Sequence, residues 1–179
     1  AWLDHRLLAQ IARARPWFQI VLAGGPAAPA LTALAALPNV HLREGSGEAE
    51  RAAARLAADI VVLPFRILPS TRTADPPELY DALALGRPVV ATRLPALAPW
   101  RELFYSAEDG DAFLAQLDRA VHDRDPGAAG RRRAFAAGNL WPERGGSLGA
   151  ELEKLFAERS RGIPAGSPEA ELVGHLEAE

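Results

Sequence analysis

Asp81 is the side chain in this sequence best placed to do chemistry. It lies in Leu79-Tyr80-Asp81-Ala82-Leu83-Ala84-Leu85-Gly86-Arg87-Pro88-Val89-Val90-Ala91-Thr92, which reads as a short helix, a glycine stop, a tight turn and a buried strand. With Leu79 at zero on a helical wheel, Leu83 falls about 40° away and Asp81 about 200° away. Leu79, Ala82 and Leu83 therefore share one face, and Glu78 and Asp81 the other. A carboxylate on that outer face is either solvated or an acceptor for hydroxyls. Its two parallel oxygens suit the paired hydroxyls of a ribose.

The loop before the helix offers complementary groups. A helix N-terminus attracts phosphate through its free N–H groups and its dipole. The amides of Thr73, Ala74, Glu78 and Leu79 and the hydroxyls of Thr71 and Thr73 are the candidate donors, and Arg66 or Arg72 would bring positive charge. Pro76 and Pro77 contribute no N–H. Asp75, three residues before Glu78, reads as the cap of the helix, with Pro76 at its first position. Gly24-Gly25 follows an apolar run and permits either a plain turn or close backbone approach to a ligand. It is not the three-glycine fingerprint of dinucleotide binding. His5, His41, His122 and His175 are scattered, His41 on a short strand or sheet edge, and no pair has metal-ligand spacing. No cysteine is present, which removes thiol nucleophiles, disulfides and thiolate metal sites. No bound metal or cofactor is expected. Trp100 and Trp141 read as packing residues.

These groups need a scaffold. Asp4 to Arg15 carries Leu7, Leu8, Ile11 and Ala12 at helical spacing, with Asp4 as its cap. Phe18 to Ala23 is a buried strand, Pro29 to Leu37 a helix and Val40 to Leu42 a second short strand. Gly47 to Ala58 is a helix with Ala53, Leu56 and Ala57 inward, and Asp59 to Phe65 is the strongest strand. Arg66 to Ala74 is a loop, Asp75 to Leu85 a helix, Pro88 to Thr92 the fourth strand and Leu103 to Tyr105 a last one. Helices near Asp109–Arg124, Ala128–Ala137 and Ser147–Arg161 follow. This alternation predicts an α/β fold, a Rossmann-like parallel sheet with helices on both faces, in one domain over 1–161 with a tail over 162–179. Ligands of such sheets bind beyond the C-terminal strand ends.

The chain has 179 residues and is 49% hydrophobic, with a net charge of −3. It has no basic excess to favour nucleic acid. Lys154 is its only lysine. No apolar run reaches the roughly 20 residues that span a bilayer, and no signal peptide is visible. A cytoplasmic location is expected. The chain does not open on Met and reads as a fragment of a longer protein.

The chain resembles the C-terminal, donor-binding domain of GT-B fold glycosyltransferases, in particular the group 1 type of bacterial cell-envelope and exopolysaccharide assembly. Four segments carry the resemblance, over about Trp2 to Arg161: Trp2 to Pro16 with the Phe18–Gly25 run; Leu37-Pro38-Asn39-Val40 through Gly45; Asp59 to Arg66 followed by Asp75 to Thr92; and Asn139-Leu140-Trp141 with Arg144. The third is fairly specific, because an acidic residue on a helix followed by Gly-x-Pro-Val-Val-Ala-Thr is similar to the family pattern. The resemblance implies that Asp81 holds the donor ribose. Thr73 falls at the family's first glutamate, and Glu78 falls where a lysine is common. It implies that Leu42, Arg43 and Gly45 meet the nucleobase through backbone groups. Arg66, Thr71, Arg72, Thr73, Ala74 and Leu79 would meet the diphosphate, with Gly24 and Gly25 as a glycine loop. The activity implied is sugar transfer from a nucleoside diphosphate sugar without a bound metal. The family's first strand and its N-terminal acceptor domain would precede Ala1, so the isolated domain is expected to be inactive. Peripheral association with the inner face of the membrane would run through that missing half. A non-catalytic, interaction-only domain of the same fold is the alternative.

Overall fold

The computed structural model describes residues 2–24, 29–44 and 47–160. The chain divides into two compact units, Ala1–Ala137 and Gly138–Glu179.

The first unit alternates helices and strands. Helix α1 (His5–Ala14) starts as expected: the Asp4 carboxylate accepts from the amides of Arg6 and Leu7, both at 3.0 Å, satisfying first-turn donors that have no helical acceptor. Strands β1 (Ile20–Gly24) and β2 (Val40–Glu44) pair in parallel, Ile20 opposite Val40. Strands β3 (Val61–Leu63), β4 (Val89–Thr92) and β5 (Tyr105–Ala107) form a second parallel ladder in that order. Between them lie α2 (Pro29–Ala35), α3 (Glu48–Ala57), α4 (Pro69–Arg72) and α5 (Pro77–Ala84), and a 3-10 helix at Pro95–Trp100; α6 (Gly110–Val121) and α7 (Ala128–Ala137) follow. The second unit carries α8 (Trp141–Ser160).

Strand β4 explains the layering. All four of its residues are buried, and successive side chains point to opposite faces. Val90 packs with Leu8 and Ile11 of α1 and Phe113 and Leu117 of α6. Val89 and Ala91 pack with Leu79, Ala82 and Leu83 of α5. A strand covered on both faces reads as a continuous apolar run, as Val89 to Ala91 does. The α/β layering is thus as predicted. The single sheet is not: β1 bonds to β2 and β3 to β4, but no ladder joins β1 to β3 among the described residues. The two ladders share helices α1 and α6, whose core contains Ile20 and Val40 as well as Val90 and Ala107.

Several local readings are corrected. Strand β3 covers three residues, because Pro64 interrupts the ladder after Leu63. The loop over 66–74 contains α4. The expected inward face of α3 is its outer one: Ala53, Leu56 and Ala57 are exposed, and Arg51, Ala52, Ala54 and Arg55 form the half-buried side. Strand β5 begins two residues later than expected, and α8 begins at Trp141, which is exposed. Trp100 does pack, against Tyr80 and Phe135, with ring centroids 6.2 and 5.5 Å away.

Candidate functional site

Helix α5 carries Asp81, and its placement starts at its two ends. Asp75 does not cap it. Pro76 occupies the N-cap without a side-chain bond, and Asp75 Oδ1 instead accepts from the Tyr80 hydroxyl at 2.8 Å. The second proline moves the helix start to Pro77, where a missing N–H is tolerated. The other end stops at Gly86, whose φ of 71° is the only positive value among the described residues. Glycine enters that conformation without the steric penalty of a Cβ. Beneath the helix, Tyr80 stacks on Phe135 at 5.8 Å, tying α5 to α7.

A buried ion pair holds the turn. Arg132 donates to the Leu103 carbonyl at 3.1 Å, the Gly86 carbonyl at 3.3 Å and Asp123 Oδ2 at 2.6 Å. Both side chains are less than 10% exposed. Burial pushes the Asp123 carboxyl up, but the Arg132 hydrogen bond, the Asp125 amide and the Arg132 charge together more than offset this and leave it below the usual carboxylate range. Nothing in the local sequence around Asp123 or Arg132 signals the pair, since they lie on different elements and meet only in the folded chain.

Leu79, Ala82 and Leu83 are fully buried, and Asp81 is exposed on the opposite face, as the wheel predicts. Its Oδ2 accepts from Arg55 Nη1 of α3 at 2.8 Å. Its Oδ1 accepts no hydrogen bond among the described residues. Arg55 also lies 3.5 Å from Glu48 Oε1, and Glu48 takes a closer bond, 2.5 Å, from Arg51. That hydrogen bond, and then the Arg51 charge, hold Glu48 below the ordinary carboxylate range. No local pattern along the chain signals that Arg55 reaches Asp81.

The segment joining β3 to α5 gathers Arg66, Thr71, Arg72, Thr73 and Ala74, as read from sequence, but its donors are largely used internally. Thr71 is fully buried. Its hydroxyl donates to the Arg66 carbonyl at 2.6 Å and accepts from the Leu68 amide at 2.7 Å. The Thr73 and Ala74 amides bond to the Thr71 carbonyl, and the Leu79 amide bonds to the Pro76 carbonyl. Of the four amides read as open donors, only that of Glu78 has no acceptor among the described residues. The Arg66 and Arg72 guanidinium groups also carry no contact there.

On the other ladder, Gly24 ends β1, and a Cβ built there meets nothing within 4 Å. Packing therefore does not demand a glycine at that position. Leu42 is half-buried and Arg43 exposed on β2. Gly25 and Gly45 lie outside the described residues. Asn39, from the segment read as near a nucleobase, is buried and structural: its Nδ2 donates to the carbonyls of Ala12 at 3.1 Å and Phe18 at 3.0 Å. His41 is exposed and pairs with Gln19 at 2.7 Å, on a strand bonded on one side only among the described residues. At the end of β4, the buried Thr92 hydroxyl has no partner among the described residues. No three His, Asp or Glu side chains there gather where a metal could sit, and no helix there is long and apolar enough to cross a membrane.

A family model described as glycosyl transferases group 1 matches residues 1–123. Among solved structures, the crystal structure of WaaG, a glycosyltransferase involved in lipopolysaccharide biosynthesis, is similar at 18% sequence identity with a TM-score of 0.53. The likeness covers 74% of this chain and 38% of that one, and at this identity it is a likeness of fold. The chain thus spans well under half the length of that relative. No curated protein matches the sequence.

Proposed function

This chain belongs to the glycosyl transferases group 1 family, and from that premise we propose that it is the donor-binding half of an enzyme that transfers a sugar from a nucleoside diphosphate sugar to an acceptor in glycan assembly. One observation carries the reading: Asp81 stands exposed on the outer face of α5, with one carboxylate oxygen that accepts no hydrogen bond among the described residues. That oxygen would take the ribose hydroxyls. The base would lie against the backbone of Leu42, Arg43 and Gly45. Arg66 and Arg72, whose guanidinium groups make no hydrogen bond or ion pair among the described residues, would face the diphosphate and neutralise the charge that develops as the bond from the sugar carbon to the phosphate oxygen breaks. That charge relief needs no metal. The acceptor, and any base that takes its proton, would belong to a second domain, which would also make any contact with the inner face of the membrane. The lipopolysaccharide role of WaaG supports an envelope or exopolysaccharide glycan as product.

Titration calorimetry with UDP, GDP, ADP and their sugars tests the reading. One nucleotide is expected to bind, and Asp81→Asn to weaken it about tenfold or more, as for lost bonds to a charged group. No heat at millimolar ligand, from a chain whose circular dichroism shows the α/β fold, overturns it.

A second reading, a non-catalytic domain used for protein interaction, is favoured by the loop before α5. Thr71, Thr73, Ala74 and Leu79 spend their donors internally, Pro76 and Pro77 have none, and Thr73 is no carboxylate. Sugar transfer by the full-length protein, lost on Asp81→Ala, excludes it.

A further inference from the structure

We infer that Arg55 is the positioning residue that sets the Asp81 carboxylate for the ribose of the donor; the inference rests on the donor-binding reading above. An aspartate on an exposed helix face rotates freely, and a ligand that uses it must first immobilise it. Here one oxygen is already held. Arg55 Nη1 donates to Asp81 Oδ2 at 2.8 Å, which leaves Oδ1 without a hydrogen bond among the described residues. Arg55 is itself supported. Its side chain is 24% exposed, against 49% for Asp81, and its head reaches α5. A second carboxylate, Glu48, sits 3.5 Å from Arg55 but is bonded more closely by Arg51. Arg51 therefore satisfies Glu48 and leaves the shorter contact of Arg55 to Asp81. The four side chains sum to zero charge, so the site is ordered without added repulsion toward a diphosphate.

The test compares each ribonucleoside diphosphate with its 2′-deoxy form (UDP and dUDP, GDP and dGDP, ADP and dADP) by calorimetry on the whole chain. The proteins are wild type, Arg55→Met, Arg55→Lys, Asp81→Asn and the Met/Asn double variant, with melting temperature followed in parallel. Wild type is expected to prefer the ribonucleotide about tenfold or more. Asp81→Asn should abolish that preference, and Arg55→Met should cut it at least about threefold. The double variant should be no worse than Asp81→Asn, and Arg55→Lys, which keeps the charge, should restore part of it. An Arg55→Met chain with the wild-type preference, beside an Asp81→Asn chain without it, overturns the positioning role alone. A wild type without preference, or an Asp81→Asn chain that keeps it, overturns the ribose assignment and the positioning role together. A merely structural role for Arg55 would shift melting and both affinities alike, leaving their ratio unmoved.

Discussion

Asp123→Asn should destabilise the first unit by about 3 kcal/mol, because it leaves the Arg132 charge buried without its counter-ion. The geometry decides the size. Asp123 and Arg132 are 8% and 7% exposed, and their bond is 2.6 Å, so solvent cannot replace the lost carboxylate. Arg132 keeps the Leu103 and Gly86 carbonyls, which holds the loss at the lower end of the range for broken buried pairs. A unit spanning Ala1–Ala137, at about 2.1 cal/mol/K of unfolding entropy per residue, then melts about 10 °C lower. Chemical denaturation and calorimetry read both quantities. Asp123→Leu with Arg132→Met removes the pair together and should recover most of the loss. The same pair gives a pH dependence. The folded carboxyl titrates below its ordinary value, so its stabilisation is present above the unfolded carboxylate pKa near 4 and disappears as pH falls through the lower folded value. The Asn variant should lack that acid limb. An Asp123→Asn chain within about 0.5 kcal/mol of wild type at neutral pH would refute the reasoning.

Three further outcomes follow from single residues. Gly86→Ala should cost about 1–2 kcal/mol by urea denaturation, mostly from forcing a Cβ into φ 71°, since the near atom at 2.9 Å is the flexible Arg133 side chain. Asn39→Ala strips the amide that serves the Ala12 and Phe18 carbonyls and should cost about 1–3 kcal/mol, read in the same assay. Thr92→Val replaces a buried hydroxyl without a partner by a methyl of the same shape, and the melting temperature should hold or rise.

Much of the scaffold is legible in the residues. The apolar run Val89 to Ala91, the Asp4 cap, the Gly86 stop and the helical faces of α1 and α5 are local patterns, and each forms as its spacing dictates. The outer position of Asp81 belongs to the same class. The reading fails where a local pattern has a nonlocal competitor. Asp75 and Glu78 spell a capping box, yet Pro77 takes the first helical position and Tyr80 takes the Asp75 carboxylate. Thr71 has the right chemistry for a phosphate, but a short helix within the loop buries its hydroxyl among backbone partners. On α3, spacing puts Ala53, Leu56 and Ala57 inward, yet the half-buried side is that of Arg51, Ala52, Ala54 and Arg55, the side from which Arg55 reaches Asp81.

The sequence by itself determined the α/β class, the elements around Asp81 and the side of the helix on which that carboxylate stands, because period and punctuation are properties of neighbouring residues. Only the tertiary structure decided that strands pair as two ladders. It alone brought Arg55 to Asp81 across 26 positions and Arg132 to the Gly86 carbonyl across 46. Charges and hydrogen bonds act through space, and nothing in the spacing of residues along a chain records which distant group will arrive within hydrogen-bond reach.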